Sequence, residues 1–229
     1  TDQATDTPTN NFAVMNPLVV INGSTFSEGN CKIVTGSSPY SYDVSTIGVA
    51  NGKWYVEAKY GGSSDDATFG IAGRTATNTT HELGHYDDTW SYYTGTGASN
   101  VRNNDSNSSY GATYTTNDII GLALDLTNNK LYFSKNGTWQ NSGDPESGST
   151  GTGAVSITAA SSVTDDVYYI GIGDFDGGAS VTWEANFGGC SAFTVSSANQ
   201  DANGYGNFEY AVPSGYLALC TKNLGSDGG

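Results

Sequence analysis

The stretch from Asp118 to Gly137, DIIGLALDLTNNKLYFSKNG, leaves little choice of fold. Its first part, Asp118 to Leu126, is almost continuously apolar, too short for a typical buried helix and suited to a strand covered on both faces. The Asn128-Asn129 turn then reverses the chain into KLYFSKNG, so an antiparallel hairpin is the natural reading. Both faces of that hairpin need cover from other parts of the chain.

The same grammar recurs elsewhere, and helical periodicity is nearly absent. After the turn Asn51-Gly52, KWYVEAKY puts Trp54, Val56, Ala58 and Tyr60 on one face and Tyr55, Glu57 and Lys59 on the other, which predicts one buried and one wet face. Short strands are predicted at Phe69–Ala72, Tyr92–Thr94 and Gly111–Tyr114, separated by polar stretches from Arg74 to Ser91 and from Gly95 to Ser109. Thr138–Asp166 reads as a Gly/Ser/Thr-rich insertion with a strand at Val155–Ala159. A second strong pair, Val167–Phe175 and Ser180–Gly188, is joined by Asp176-Gly177-Gly178, and a short strand follows at Gly215–Thr221. The chain is therefore expected to be all-β. With no fixed-period repeat and no composition break, residues 1–229 read as a single domain.

Composition narrows the function. Of 229 residues only 14% are charged, against roughly 25% in an ordinary soluble domain, and the formal net charge is −15. Polarity comes instead from Gly, Ser, Thr and Asn, while 36% hydrophobic content with 4 Trp, 15 Tyr and 8 Phe supplies a sizeable core and argues against disorder. Without a Lys/Arg cluster, phosphate backbones and anionic lipid surfaces are repelled. No apolar run approaches the roughly 20 residues needed to span a bilayer, and TDQATDTPTN has neither a basic nor an apolar leader region. The expected protein is soluble, with any export signal removed or never present. Cys31, Cys190 and Cys220 are far apart and form no CxxC pair. They read as buried unpaired thiols, the alternative being one bridge and one free thiol.

The motifs around the central hairpin resemble the SPRY domain family. NDIIGLALDLTNNKLYFSKNG is similar to that family's D-x-I-G-x-x-L-D strand, turn and F-S-x-N-G strand. GKWYVEAKY resembles its early G-x-W-Y-x-E strand, FGIAGR the next, and Asn186–Gly189 the N-F-G near its close. The resemblance covers about residues 48–189 and implies a bent two-sheet antiparallel β-sandwich with long polar loops. Segments 1–47 and 190–224 would then pack on it as strands, with 225–229 as a tail. The outer segments Thr7–Leu18 and Val212–Leu224 resemble sequences flanking SPRY-like modules in bacteriophage tail fibres and other virion proteins.

Several strings invite a chemical reading. His81-Glu82-Leu83-Gly84-His85 satisfies H-E-x-x-H, whose zinc chemistry requires a helix so that both imidazoles reach one ion. The preceding Thr75–Thr80 are poor helix formers, Gly84 lies inside, and Asp88 and Ser91 stand where a metzincin has Gly and His. His81 and His85 are thus expected to be a chance match in a surface loop, or at most an adventitious metal site. Asp174 and Asp176 are weak Ca²⁺ candidates at a hairpin turn, the plainer reading being solvated acidic tips. Neither a nucleophile elbow nor a phosphate loop is present. Aromatics beside carboxylates suit a sugar face, which makes Tyr86, Asp87, Asp88, Trp90, Tyr205 and Phe208 the candidate ligand-binding cluster. Strand-end core positions are the alternative for Trp90.

By resemblance, the partner site of a SPRY domain lies in loops at one end of the sandwich, here residues 61–67, 74–91 and 95–110. The expectation is a non-catalytic structural and adhesive module of a phage virion, in a tail fibre, spike or capsid decoration. It would need no cofactor, bind a host-surface glycan or protein, and contact other virion proteins or copies of itself as a homo-oligomer. Its place would be the virion or the extracellular space. The first rival is a self-assembling extracellular filament or surface-layer subunit, and the second an enzyme, either a glycan hydrolase or a zinc protease.

Overall fold

The central hairpin forms as expected and sits inside a larger sheet. The structure is a computed structural model that describes residues 6–19, 23–37, 40–62, 66–75, 81–95, 98–175 and 178–225. In chain order its strands are β1 (Thr25–Ser27), β2 (Lys32–Val34), β3 (Ser41–Val49), β4 (Lys53–Gly62) and β5 (Ala67–Ala72). There follow β6 (Thr89–Gly95), β7 (Ala98–Asn103), β8 (Ser106–Ser109), β9 (Ile119–Asp125) and β10 (Lys130–Lys135). The last are β11 (Thr138–Trp139), β12 (Val155–Ser156), β13 (Tyr168–Asp174), β14 (Thr182–Asn186) and β15 (Leu217–Ala218). One sheet runs β1-β2-β14-β4-β9-β10-β11, with β12 on β10 and β15 beside β4; the other runs β3-β13-β5-β6-β7-β8. Except for β15 beside β4, the pairings are antiparallel. The fold is all-β, a two-sheet antiparallel sandwich.

Alternation along each strand makes the core. Trp54, Val56, Ala58 and Tyr60 of β4 and Ile120, Leu122 and Leu124 of β9 face inward, meeting Phe69, Ile71, Tyr92, Ile170 and Ile172 from the second sheet. Trp183 sits at the centre, its ring 5.4 Å from Tyr60, 5.8 Å from Phe69 and 5.8 Å from Tyr114. Each such side chain contributes about 1.5–3 kcal/mol by leaving water.

The other face of β4 is not wet. Tyr55 and Glu57 are buried beneath the segment that follows β14, where Phe12, Phe208, Tyr216 and Cys220 join Tyr55, Ala123 and Tyr132 in a second apolar cluster. Period two identified the two faces of β4 correctly but carried no information about cover from a segment some 150 positions away. Glu57 accepts hydrogen bonds from the Tyr55 hydroxyl (3.0 Å), Asn186 Nδ2 (3.2 Å) and the amides of Glu209 (2.9 Å) and Tyr210 (2.8 Å). Burial nevertheless pushes its carboxyl up to about 6, the four donors pulling the other way. The outer segments run beside each other: Ala13 N–H donates to Leu219 O (2.9 Å) and Thr221 N–H to Asn11 O (2.9 Å).

Several local expectations change, and the strands expected at Val155–Ala159 and Gly215–Thr221 shorten to β12 and β15. Gly111–Tyr114 is not a strand: Gly111 has φ +63°, and Tyr114 turns its ring into the core, where its hydroxyl donates to Ala67 O (2.7 Å) and Tyr92 O (3.1 Å). The polar stretch before it holds β7 and β8 instead. These strands form a sheet edge, with all of Ser106–Ser109 exposed, so they lack the apolar alternation that marks a covered strand.

Candidate binding face

The connection from β5 to β6 carries HELGHYDD, and one apolar residue fixes its course. Leu83 is fully buried against Tyr42 and Val44 of β3, Ala72 of β5 and Gly171 of β13. These positions point away from the main core, so the loop folds back over the outer face of the smaller sheet. A Cβ on Gly171 would stand 2.9 Å from the Leu83 methyls, so the pit depends on that glycine. Gly84 follows at φ +102°, and a side chain there would meet Arg102 O at 2.8 Å.

Hydrogen bonds hold the rest of the loop. Ser91 Oγ donates to Leu83 O (2.7 Å), and Thr89 Oγ1 accepts from the amides of Gly84 (3.1 Å) and Tyr86 (3.1 Å). Asn103 Nδ2 donates to the carbonyls of Tyr86 (3.3 Å), Asp87 (3.1 Å) and Thr89 (2.9 Å). The β7–β8 turn adds Asn104 N–H to Tyr86 O (3.2 Å) and Asp105 N–H to Gly84 O (3.3 Å). The result is a preorganised surface of two loops locked together.

Charge on this surface is arranged around the chain's two arginines, Arg74 and Arg102. Arg102 donates from Nε to Glu82 (2.8 Å), from Nη2 to Asp105 (2.7 Å) and from Nη1 to Asn107 Oδ1 (3.1 Å), with its guanidinium 4.7 Å from the Phe175 ring. Its side chain is 9% exposed and that of Glu82 3%, so this pair is buried. Arg74 donates from Nε to Asp88 (2.7 Å) and lies 4.1 Å over the Tyr86 ring. Burial alone would raise the Asp88 carboxyl, but Arg74 and the Thr164 hydroxyl and amide outweigh it and hold the carboxyl below its ordinary value. A polar cleft of about 340 Å³ opens beside this pair, lined by Arg74, Asp87, Asp88, Thr158, Ser162 and Thr164.

His81, Glu82 and His85 come together, their donor atoms within 4.8 Å of one another. They do so in a turn, not on a helix. The imidazoles stack face to face, 3.6 Å apart and 1° from parallel, which sets their in-plane lone pairs side by side rather than at a common point. His85 Nδ1 is 2.7 Å from Asp105 Oδ1, and Glu82 is bound by Arg102 instead of being available to hold an attacking water. Zinc-protease chemistry does not fit this arrangement.

The six residues of the expected ligand cluster separate. Tyr86 is half-buried and Asp87 exposed on the face just described, and Asp88 is buried in the Arg74 pair. Trp90 faces the core, 4% exposed and 5.9 Å from the Tyr168 ring, because its position in β6 alternates inward with Tyr92. Tyr205 and Phe208 lie over the opposite sheet. Phe208 is fully buried against Tyr55, with ring centroids 5.1 Å apart, and Tyr205 lies beneath Lys222. A Gly/Asn-rich turn around two aromatics looks the same whether the rings point out or in. Asp174 is fully buried at the end of β13 rather than displayed at a hairpin tip, which removes it as a surface Ca²⁺ ligand, and Asp176 lies outside the described residues. Arg102 and Asn103, which organise the face, lie in the expected segment 95–110 but are not individually marked by the sequence. The available signal was that both arginines and both histidines of an acidic chain fall between positions 74 and 102.

Residues 53–157 match the family model of the SPRY domain. No curated protein sequence matches the chain. Among solved structures the chain is similar to the SPRY domain of human HERC1, with a TM-score of 0.58 and 14% identity over 79% of this chain and 99% of that one. The fold is SPRY-like.

Proposed function

We propose that this chain is a non-catalytic structural and adhesive module of a phage virion, in a tail fibre, spike or capsid decoration. In this reading it binds a host-surface glycan or protein through the outer face of its smaller sheet. The observation that carries the proposal is the convergence of Arg74, Arg102, His81, His85 and Tyr86 on one hydrogen-bonded face beside a polar cleft. Both arginines and both histidines of an acidic, lysine-poor chain stand together there. The SPRY-like fold agrees with a recognition role. The one catalytic string supports the same reading, because its carboxylate is tied down by Arg102. Copies arrayed on a particle would turn weak single contacts into avidity.

The test is binding of a multimerised protein to a glycan array and to intact host cells. Retention by wild type, with loss in Tyr86→Ala and Asp87→Ala, is expected. No signal for the multimer on either target would leave a structural role alone. The exposed edge β8 favours a second reading, self-assembly by strand addition, which predicts concentration-dependent oligomers in sedimentation.

A further inference from the structure

Two of the three cysteines meet. Cys31 immediately precedes β2, its carbonyl accepting the Ala185 amide of β14 (2.6 Å), and Cys190 follows β14 by a few residues. The strand pairing therefore brings together two positions 159 apart in sequence. The Cys31 thiol donates to the Cys190 carbonyl (3.2 Å) and also interacts with the Cys190 thiol. The Cys190 sulfur lies 3.6 Å from Glu28 O and 3.4 Å from where a Cβ on Gly29 would stand, so it is seated over the β1–β2 turn. Cys31 is fully buried and Cys190 is partly exposed, while Cys220 belongs to the separate cluster over the other face of β4.

We propose that Cys31 and Cys190 are a disulfide-forming pair that staples the β1–β2 turn to the segment after β14. The oxidant is a small-molecule disulfide such as oxidised glutathione. The Cys190 thiolate, the reachable one, attacks it, forming a mixed disulfide and releasing one glutathione thiol. Cys31 then attacks the Cys190 sulfur, the Cys31–Cys190 bond forms, and the second glutathione thiol leaves. Two protein thiols thus give up two electrons and two protons, and one glutathione disulfide becomes two thiols. Burial pushes the Cys31 thiol up, and Cys31 is enclosed while Cys190 is partly exposed, so Cys190 is the thiol that reacts first. This inference stands independently of the adhesive role.

The experiment is incubation of the full chain with oxidised glutathione, followed by intact-mass analysis, thiol titration under denaturing conditions and peptide mapping. The expected product is lighter by about 2 Da, has one titratable thiol in place of three, and yields a linked peptide containing Cys31 and Cys190. Cys220→Ser should form the same bridge, whereas Cys31→Ser should stop at the glutathione adduct on Cys190. Three persisting thiols, a wild-type adduct that never resolves, or any bridge through Cys220 would overturn the assignment. The wild-type measurements decide the matter even if a variant fails to fold.

Discussion

Glu57 gives the sharpest prediction, because one buried carboxylate joins the larger sheet to the segment that covers it. Its carboxyl is pushed from an ordinary 4.5 to about 6, chiefly by burial. A folded-state value above the unfolded one means that folding favours the protonated form. The associated stabilisation is complete below pH 4.5, declines as pH rises, and is gone once pH has passed about 6. At roughly 1.4 kcal/mol per decade, the window is worth ~2 kcal/mol. Other carboxylates titrate nearby, so the assay compares wild type with Glu57→Gln by urea denaturation at pH 4.5, 5.5, 6.5 and 7.5. The variant cannot ionise. Although it loses hydrogen-bond geometry at every pH, its stability relative to wild type should improve by ~2 kcal/mol from the lowest pH to the highest. A constant difference would refute the reasoning. An opposite slope would mean that the four donors outweigh burial and that the carboxylate is charged throughout.

The other predictions concern the binding face and the cysteines. Arg102→Met leaves Glu82 buried without its cation and should cost about 3–5 kcal/mol, read as a fall in Tm of roughly 10 °C or more. Leu83→Ala empties the pit over Gly171; a loss of about 2–5 kcal/mol is expected, together with faster amide exchange across residues 83–89. Neither wild type nor His85→Ala should retain stoichiometric Zn²⁺ after dialysis, and metal analysis showing one equivalent in wild type alone would reverse the reading of HELGH. Once the Cys31–Cys190 bond is formed, its reduction should lower stability by about 5 kcal/mol if chain entropy dominates, as estimated for a loop of roughly 160 residues and measurable as a shift in urea midpoint.

What the sequence discloses depends on whether a residue's partners are near it in the chain. The hairpin from β9 to β10 and the inward face of β4 were readable because alternation and an Asn-Asn turn are local signals. Strands β7 and β8 were not, since β8 is an exposed edge of Ser and Asn and β7 beside it sends, among its described side chains, only Val101 into the core, so both have the composition of a loop. The same limit governs the site. Thr75–Thr80 and Gly84 correctly argued against a helix, so HELGH was recognisable as a loop, but the role of Leu83 was hidden because its pit is assembled from β3, β5 and β13. Tyr205 and Phe208 were grouped with Tyr86 on composition alone. Only strand order assigns them to opposite sheets.

That strand order also explains why one outer face is the better candidate for a partner. The larger sheet's outer face carries Tyr55, Ala123 and Tyr132, and the chain covers them itself with the segment from Asn199 to Cys220, held to the sheet by Glu57 and by β15 beside β4, while Asp201 accepts the Ala218 amide (2.9 Å) within it. Hydrophobic demand is met there from within. The smaller sheet's outer face mixes small residues, Gly70, Gly171, Gly173, Thr68 and Ser91, with Tyr42 and Val44, and Leu83 of the β5–β6 loop sinks among them. Leu83 covers Tyr42 and Val44, and the chain around it carries Arg74, His81, His85 and Tyr86 rather than further apolar side chains. The hydrogen bonds of Thr89, Ser91 and Asn103 add to the packing of Leu83 in holding that loop. A binding surface held by hydrogen bonds to its own backbone has already met the ordering cost that a flexible loop would meet on contact, which favours affinity for a rigid target.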